Sequence, residues 1–488
     1  MKLSNYFLMS LAAGGVLLSG FFSCKNNESD DPAGSTGKEI GKAQNWITRG
    51  DKTKLFSKET DLSVKDSLMS PFPVITVDTS IQYQEIDGFG AALTGSSAYL
   101  LNQHLIPEMK TLTLHDLFDP DQGIGISYLR VTMGASDFSL SDFSYDDRPD
   151  GETDFTLEHF SLGQDLEDVV PVLKDIFSIN PEIRVMGTPW SPPAWMKTNG
   201  SLKGGKLKED CYAVYADYFV KYIQTMNELG ISISEITPQN EPLYFTANYP
   251  CMEMQPAEQA NFIKFHLGPK FVSAGLHTKI IIYDHNWDNI DYANSILDDP
   301  EAAAYIAGSA FHAYAGNVSA MSSVHVSHPD KDLHFTEISG GKWATDFSAN
   351  LLWYMENIFI GTTSNWSKTA LLWNLALNQE DGPQNNGCSN CRGVLTINDV
   401  NGYITKNEEY YALAHFSKLV RPQAKRTGIS VPQSLVSSIG AVAFLNNDGS
   451  KALIVCNYSA EDKAFVVKQN GKNFTCSLPR KSVISILW

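Results

Sequence analysis

The stretch ITPQNEPLY, residues 236–244, closes an apolar run on Asn240 and Glu241 and then turns at Pro242. A lone carboxylate is costly at the end of a buried strand unless something uses it. A (β/α)8 barrel gives it a use: the C-terminal ends of its strands point into the mouth where reactive groups gather, and a proline there leads into the next loop.

Seven further runs read the same way, giving eight in order: 86–94, 127–134, 184–193, 233–242, 278–287, 306–314, 332–339 and 369–377. Between them lie stretches with apolar residues at helical spacing and a Gly or Asn stop, such as LEDVVPVLKDIFSIN, YAVYADYFVKYIQTMNELG and PAEQANFIKFHLGPKFVSAG. Strands alternating with helices predict an α/β fold, and eight such units in about 290 residues suit a TIM barrel. After EEYYALAHFSKLV the texture becomes short alternating runs with turn signals, SSIGAVAFLN, KALIVCNYS, KAFVVKQN and KSVISILW. SPFPVITVDTSIQYQEI, before the barrel, has the same texture, so both chain ends are expected to build one side β-sandwich. The expected division is 1–24 leader, 25–45 tether, 46–84 first part of the sandwich, 85–420 barrel and 421–488 the rest of the sandwich.

With 488 residues, 43% of them hydrophobic, the chain can bury a large core, and disorder is not its class. A formal charge of -18 and the lack of any Lys- or Arg-rich run argue against nucleic acid as a partner. The N-terminus MKLSNYFLMSLAAGGVLLSGFFSC reads as an export signal and not as a stable span. Cys24, just past the apolar run, resembles a bacterial lipoprotein processing site, and the polar, acidic tail that follows resembles a surface-sorting tether. The expectation is a surface or outer-membrane lipoprotein, monomeric and touching the membrane only through a lipid on Cys24; a periplasmic or secreted protein is the alternative. Cys388 and Cys391 form a CxxC with no second pair to complete a zinc site, so they read as a loop staple. Cys456 and Cys476, both in the β-rich tail, are placed to bridge neighbouring strands, with the connectivity open.

The predicted strand ends are unusually polar or aromatic: Arg130, Trp190, Asn240 with Glu241, His285, His312 with Tyr314, Glu337 and Trp373. Glu241 and Glu337 are 96 residues apart (337 minus 241), or three βα units of roughly 30 residues, which assigns them to strands four and seven. Either alone reads as an ordinary salt bridge. Two carboxylates facing each other among aromatics can cleave a glycosidic bond, one protonating the leaving oxygen while the other attacks the anomeric carbon, with no metal or cofactor. Asn240 could then bond the sugar 2-hydroxyl, and Arg130 could keep the nucleophile ionised. Trp190, Trp195 and Trp373 read as sugar platforms or as core packing. His285 reads as a structural histidine or a wall of the cleft, and Lys203, Lys206 and Lys208 as solvated loop residues.

The segments DGFGAALTGSSAYLL, YLRVTMGASDFS, GTPWSPPAWMKTNGSLKGG, TPQNEPLY, FHAYAG, HFTEISGG and ALLWNLALNQEDGP together resemble glycoside hydrolase family 30, over roughly residues 75–488 and in the same order. The resemblance implies a barrel with a side β-sandwich and a retaining mechanism. By motif it makes Glu241 the acid/base and Glu337 the nucleophile, and puts Asp137, Trp190, Asn240 and Trp373 around the sugar at the point of cleavage. Arg130, His312 and Tyr314 match positions around the nucleophile. NNGCSNCRGVLTIN resembles a Cys-containing loop of microbial β-1,6-glucanases, so the expected reaction is internal cleavage of β-1,6-glucan. Glucosylceramide or a short β-glucoside is the alternative substrate, and a glycan-binding surface protein without turnover is the alternative class.

Overall fold

The computed structural model describes residues 37–488; the leader, the lipidation expectation at Cys24 and most of the tether lie outside the described residues. Eight parallel strands close into a barrel in chain order: Gly88–Leu93, Tyr128–Met133, Arg184–Pro189, Glu235–Ile236, Lys279–Asn286, Ile306–His312, Asp332–Glu337 and Ser367–Leu372. Their near-continuous apolar runs follow from burial on both faces, interior and helix side. Tyr128, Met186, Ile281, Ala310 and Leu371 fill a layer of the interior. Outside, Val169–Ile179 buries Val169, Val172, Leu173 and Ile176, the helically spaced residues of its sequence.

The fourth strand is short in regular pairing. Beyond Ile236, Thr237 and Asn240 still donate their N–H groups to the Gly187 and Pro189 carbonyls, at 3.1 and 2.9 Å, so the path up to Glu241 follows the third strand.

Both chain ends build the side domain. Ten strands, Glu39–Arg49, Ser57–Lys58, Leu62–Lys65 and Val74–Glu85 from the N-terminal side and six between Lys425 and Leu487 from the C-terminal side, join in one circuit, because Leu62–Lys65 pairs back onto Glu39–Arg49. Its interior holds Val64, Ile75, Val77, Leu453, Val455, Phe465, Phe474 and Ile486. The outer face meets the barrel helix Glu408–Ser417, whose buried His415 bonds to Ser485 and Thr48. Burial pushes His415 down to about 3, so it joins the two domains as a neutral ring.

Two expectations need correction. The tether was expected to run to residue 45, but the first strand begins at Glu39: in EIGKAQNWITR, Ala43, Asn45 and Ile47 point to buried positions and the strand pairs with the chain's last one. Cys456 and Cys476 are not bridged. Cys456 pairs across from Gly440 and Val483, whereas Cys476 pairs across from Phe465, and the two belong to different core clusters. Cys388 and Cys391 do form a disulfide, and Cys211 and Cys251 are free and buried. Among the described residues no helix is long and apolar enough to cross a membrane.

Candidate active site

Arg130, in the second strand and fully buried, organises the barrel mouth. Its Nη1 donates to Glu337 Oε2 at 2.6 Å, while Nη2 donates to Asn240 Oδ1 at 2.7 Å and to Asp284 Oδ2 at 2.8 Å. One guanidinium thus ties together the ends of strands four, five and seven, as its planar fork of donors allows and a lysine would not. Its carbon lies 4.9 Å from the Trp190 ring and 5.5 Å from the Trp373 ring, so it also stacks on aromatics.

Glu337 is held on both oxygens, Oε2 by Arg130 and Oε1 by the Tyr314 hydroxyl at 3.0 Å. Glu241 has one side-chain partner, His312 Nδ1 at 2.9 Å from its Oε1, and its side chain keeps 16% of its surface in solvent. One oxygen of each acid and a His312 ring nitrogen all lie within 4.8 Å of one another. The other His312 nitrogen faces Asp284 Oδ1 at 3.1 Å, and Asp284 also accepts from Thr336 and Thr237 at 2.7 and 2.9 Å.

The backbone is bent to deliver these groups. Glu241 has φ +41, and Tyr283 and Asp284 have φ +72 and +56. Left-handed conformations cost roughly 1–3 kcal/mol for such residues, and the position before a proline ordinarily prefers extended backbone. The strain is held by hydrogen bonds: Glu241 N–H donates to the Asp284 carbonyl at 3.0 Å, and Tyr244 N–H to that of Glu241 at 2.8 Å. Between strands five and six the register jumps from Tyr283 to His285, and between six and seven from Phe335 to Glu337. The two skipped residues, Asp284 and Thr336, are the ones that bond each other inside the barrel, as bulges that re-aim side chains do.

The charges are tightly coupled. Burial raises the Asp284 carboxyl, but the Arg130 and His312 charges and the His312 and Thr336 hydrogen bonds outweigh it and hold Asp284 far below the usual carboxylate range. Burial works against the His312 cation, yet Glu337, Asp284 and the Glu241 bond raise it to about 9, so it is an imidazolium at neutral pH. For Glu241 burial is outweighed by the His312 bond and charge, and the carboxyl is lowered. Burial raises Glu337 against the pull of His312 and Arg130, with the charge of Glu241 adding to the rise. That order is the reverse of the one an acid at Glu241 and a nucleophile at Glu337 require; the two carboxyls also differ in how each is held. Burial and the two glutamate charges push Asp137 well up, and its Oδ1 is buried without a partner.

Trp190 and Trp373 lie parallel at the floor, ring centres 5.1 Å apart, and are 2% and 3% exposed. They pack with Ala92, Phe138 and Cys391. Trp195 is turned away and donates to Asp146 at 3.1 Å. His285 is buried beside His312, its Nδ1 without a partner. Lys203 and Lys206 pair with Asp142 and Glu258, and Lys208 donates to the Trp195 carbonyl. Sequence reading names His285 and not Asp284 at the end of strand five; the register jump brings Asp284 into the barrel.

Among the described residues two clusters have cation-ligand spacing, Glu241–His312–Glu337 and Asp87–Asp332–His334. In the first, both His312 nitrogens already face carboxylates; in the second, the Lys368 ammonium lies 3.3 Å from both aspartates.

Buried, facing carboxylates at the mouth of a (β/α)8 barrel, held by an arginine and a histidine, define the glycoside-hydrolase class. The comparisons specify it further. The model of the glycosyl hydrolase family 30 TIM-barrel domain matches residues 86–420 and that of the family 30 beta-sandwich domain matches residues 423–486. The chain belongs to glycosyl hydrolase family 30. It is 35% identical to endo-1,6-beta-D-glucanase neg1 of Aspergillus fumigatus, over 84% of this chain and 86% of the relative. Lysosomal acid glucosylceramidase of Mus musculus is 29% identical over 85% and 83%. Among solved structures, the endo-beta1,6-glucanase BT3312 superposes with a TM-score of 0.86 at 35% identity, covering 92% of this chain and 99% of the other.

Proposed function

We propose that this protein hydrolyses β-1,6-linked glucan by double displacement with retention, cutting within the chain. The observation that carries the mechanism is the unequal grip on two neighbouring carboxyls. Glu337, fixed on both oxygens by Arg130 and Tyr314, is positioned to attack the anomeric carbon without reorientation. Glu241, held on one oxygen and partly open to solvent, can give its proton to the leaving oxygen and later take one from water. His312, protonated through the neutral range, donates to Glu241 Oε1 and holds that carboxyl in place. Oxygens within 4.8 Å fit the short separation of retaining enzymes, about 5–5.5 Å between carboxyl groups, better than the roughly 6.5–9.5 Å that leaves room for a water. Asn240, its carbonyl fixed by Arg130, keeps its amide N–H groups for the sugar 2-hydroxyl. Asp137, raised by burial and by the charges of Glu337 and Glu241, leaves a buried Oδ1 without a partner beside the two carboxyls, placed for a sugar hydroxyl.

The linkage is supported by the endo-1,6-glucanases of Aspergillus fumigatus and Trichoderma harzianum, at 35% and 34% identity. The test is product analysis of the chain lacking residues 1–24 on linear β-1,6-glucan and, separately, on detergent-dispersed glucosylceramide. A ladder of β-1,6 oligosaccharides is expected; glucose from the lipid alone would move the reading to a glucosylceramidase. Export with a lipid on Cys24 is part of the proposal, and Cys24→Ala should release the protein from the membrane fraction; a variant that stays membrane-bound would remove the anchor.

A further inference from the structure

We propose that the cavity of about 460 Å³ beside the end of strand seven is a subsite for a glucosyl unit neighbouring the one cleaved, an inference that rests on the glucan reading. Its walls include Tyr314, Ile338, Gly341, Trp343, Trp353 and Arg392. It adjoins the reaction centre directly: Ile338 follows Glu337 in sequence, and Tyr314 is both a wall and the donor to Glu337 Oε1.

Three of its aromatics stand in solvent, Trp343 at 57%, Tyr314 at 46% and Trp353 at 40% exposed. Large rings left in water around one concavity mark a surface meant to be covered, and the volume falls within the usual range for small-molecule sites, roughly 300–1,000 Å³. The apolar C–H face of a pyranose suits such rings, and polar groups at the edge suit its hydroxyls.

The walls are also built to hold their shape. A Cβ at Gly341 would overlap the Trp343 ring, and one at Gly340 would overlap the Glu409 carboxylate, so two bare glycines let these groups close onto the backbone. Gly340–Gly341 pairs with Cys391–Arg392, where the Cys388–Cys391 disulfide sits. Arg392 is fixed by Glu408 and Glu409 at 2.9 and 2.7 Å, and Asn350 clamps the loop through the Ala344 carbonyl and Glu408 at 2.7 and 2.8 Å. A 1,6-linkage carries an extra rotatable CH2, which lets a glucan bend from the reaction centre around Tyr314 into this side cavity.

The test is binding to the Glu337→Gln protein, so that turnover does not intervene, of β-1,6-linked gluco-oligosaccharides of increasing length and of alkyl β-glucosides. Trp343→Ala should weaken the disaccharide and longer oligosaccharides about tenfold, with glucose, the one-unit probe, within about twofold. Trp353→Ala should repeat the pattern more weakly. An equal loss at every length with glucose included, no loss at all, or a loss only for the alkyl glucosides would overturn the subsite, the last assigning the cavity to a lipid tail. If β-1,6 oligosaccharides fail to bind the parent while β-1,3 or β-1,4 ones bind with the same Trp343 dependence, the proposed linkage falls and the subsite stands.

Discussion

Buried charge collects at both ends of this barrel, and the two collections are built differently. At the N-terminal end, Asp87 pairs with Arg184 and Lys368, Asp332 with Lys368 and Lys279, and Glu235 accepts from Tyr128 with Lys279 at 4.0 Å. Three acids meet three bases there. At the mouth, Arg130 and His312 face Asp284, Glu241 and Glu337 with Asp137 nearby, so acids outnumber bases. Strained backbone also gathers at the mouth, at Glu241, Tyr283, Asp284 and, after strand eight, Asn374. Balanced charge at one end reads as stability; unbalanced charge on bent backbone at the other reads as chemistry.

Substitution at the two ends should separate these readings. Glu337→Gln should lower kcat on β-1,6-glucan by about a thousandfold or more while the unfolding transition stays near its original position. A glycan-binding protein without turnover would show no glycan-assay change. Arg130→Lys, also at the mouth, should cost about a hundredfold in kcat/KM, because a point charge cannot hold Asn240, Asp284 and Glu337 together. Lys368→Met, at the opposite end, should do the reverse, destabilising by about 2 kcal/mol because Asp87 and Asp332 each lose one of two cations and keep only Arg184 and Lys279, while kcat/KM stays within about twofold. A large kinetic loss there would break the division between the ends.

A smaller effect sharpens the electrostatic side. His312 is raised to about 9 from an unfolded value near 6.5, so its contribution to stability is fully present below about pH 6.5 and is lost as pH rises through about 9. Calorimetry across that window should show a decline that His312→Gln lacks, and Asp284→Asn should shift the His312 titration seen by NMR downward. The smallest expected change is at the disulfide. Cys388→Ser with Cys391→Ser should cost under about 2 kcal/mol, since the closed loop is short.

Much of this was legible in the sequence because barrel strands are long apolar runs ending in polar residues, a pattern that survives without coordinates. The eight runs coincide with the eight strands. Glu241 and Glu337 stood out for the same reason. Asp284 did not, because only the register jump from Tyr283 to His285 reveals that the residue between them bonds inside the barrel, and a jump of that kind has no sequence signal. The stacking of Trp190 on Trp373 was equally hidden, since they follow the ends of strands three and eight and only closure of the barrel brings them together. Cys456 and Cys476 looked like neighbours because both sit in one β-rich segment, but strand order in the side domain places them apart. The aromatic cavity at Trp343 left no sequence pattern, as it depends on two glycines and a loop joined across the rim.

The most direct test of the central claim is the anomeric configuration of the first product released from β-1,6-glucan, followed by proton NMR before mutarotation. Glu337 attacking the sugar, with Glu241 protonating the leaving oxygen and then taking a proton from the incoming water, predicts the β-anomer first, decaying to the equilibrium mixture. The α-anomer appearing first would mean a water, and not Glu337, attacks the sugar, and would contradict the account.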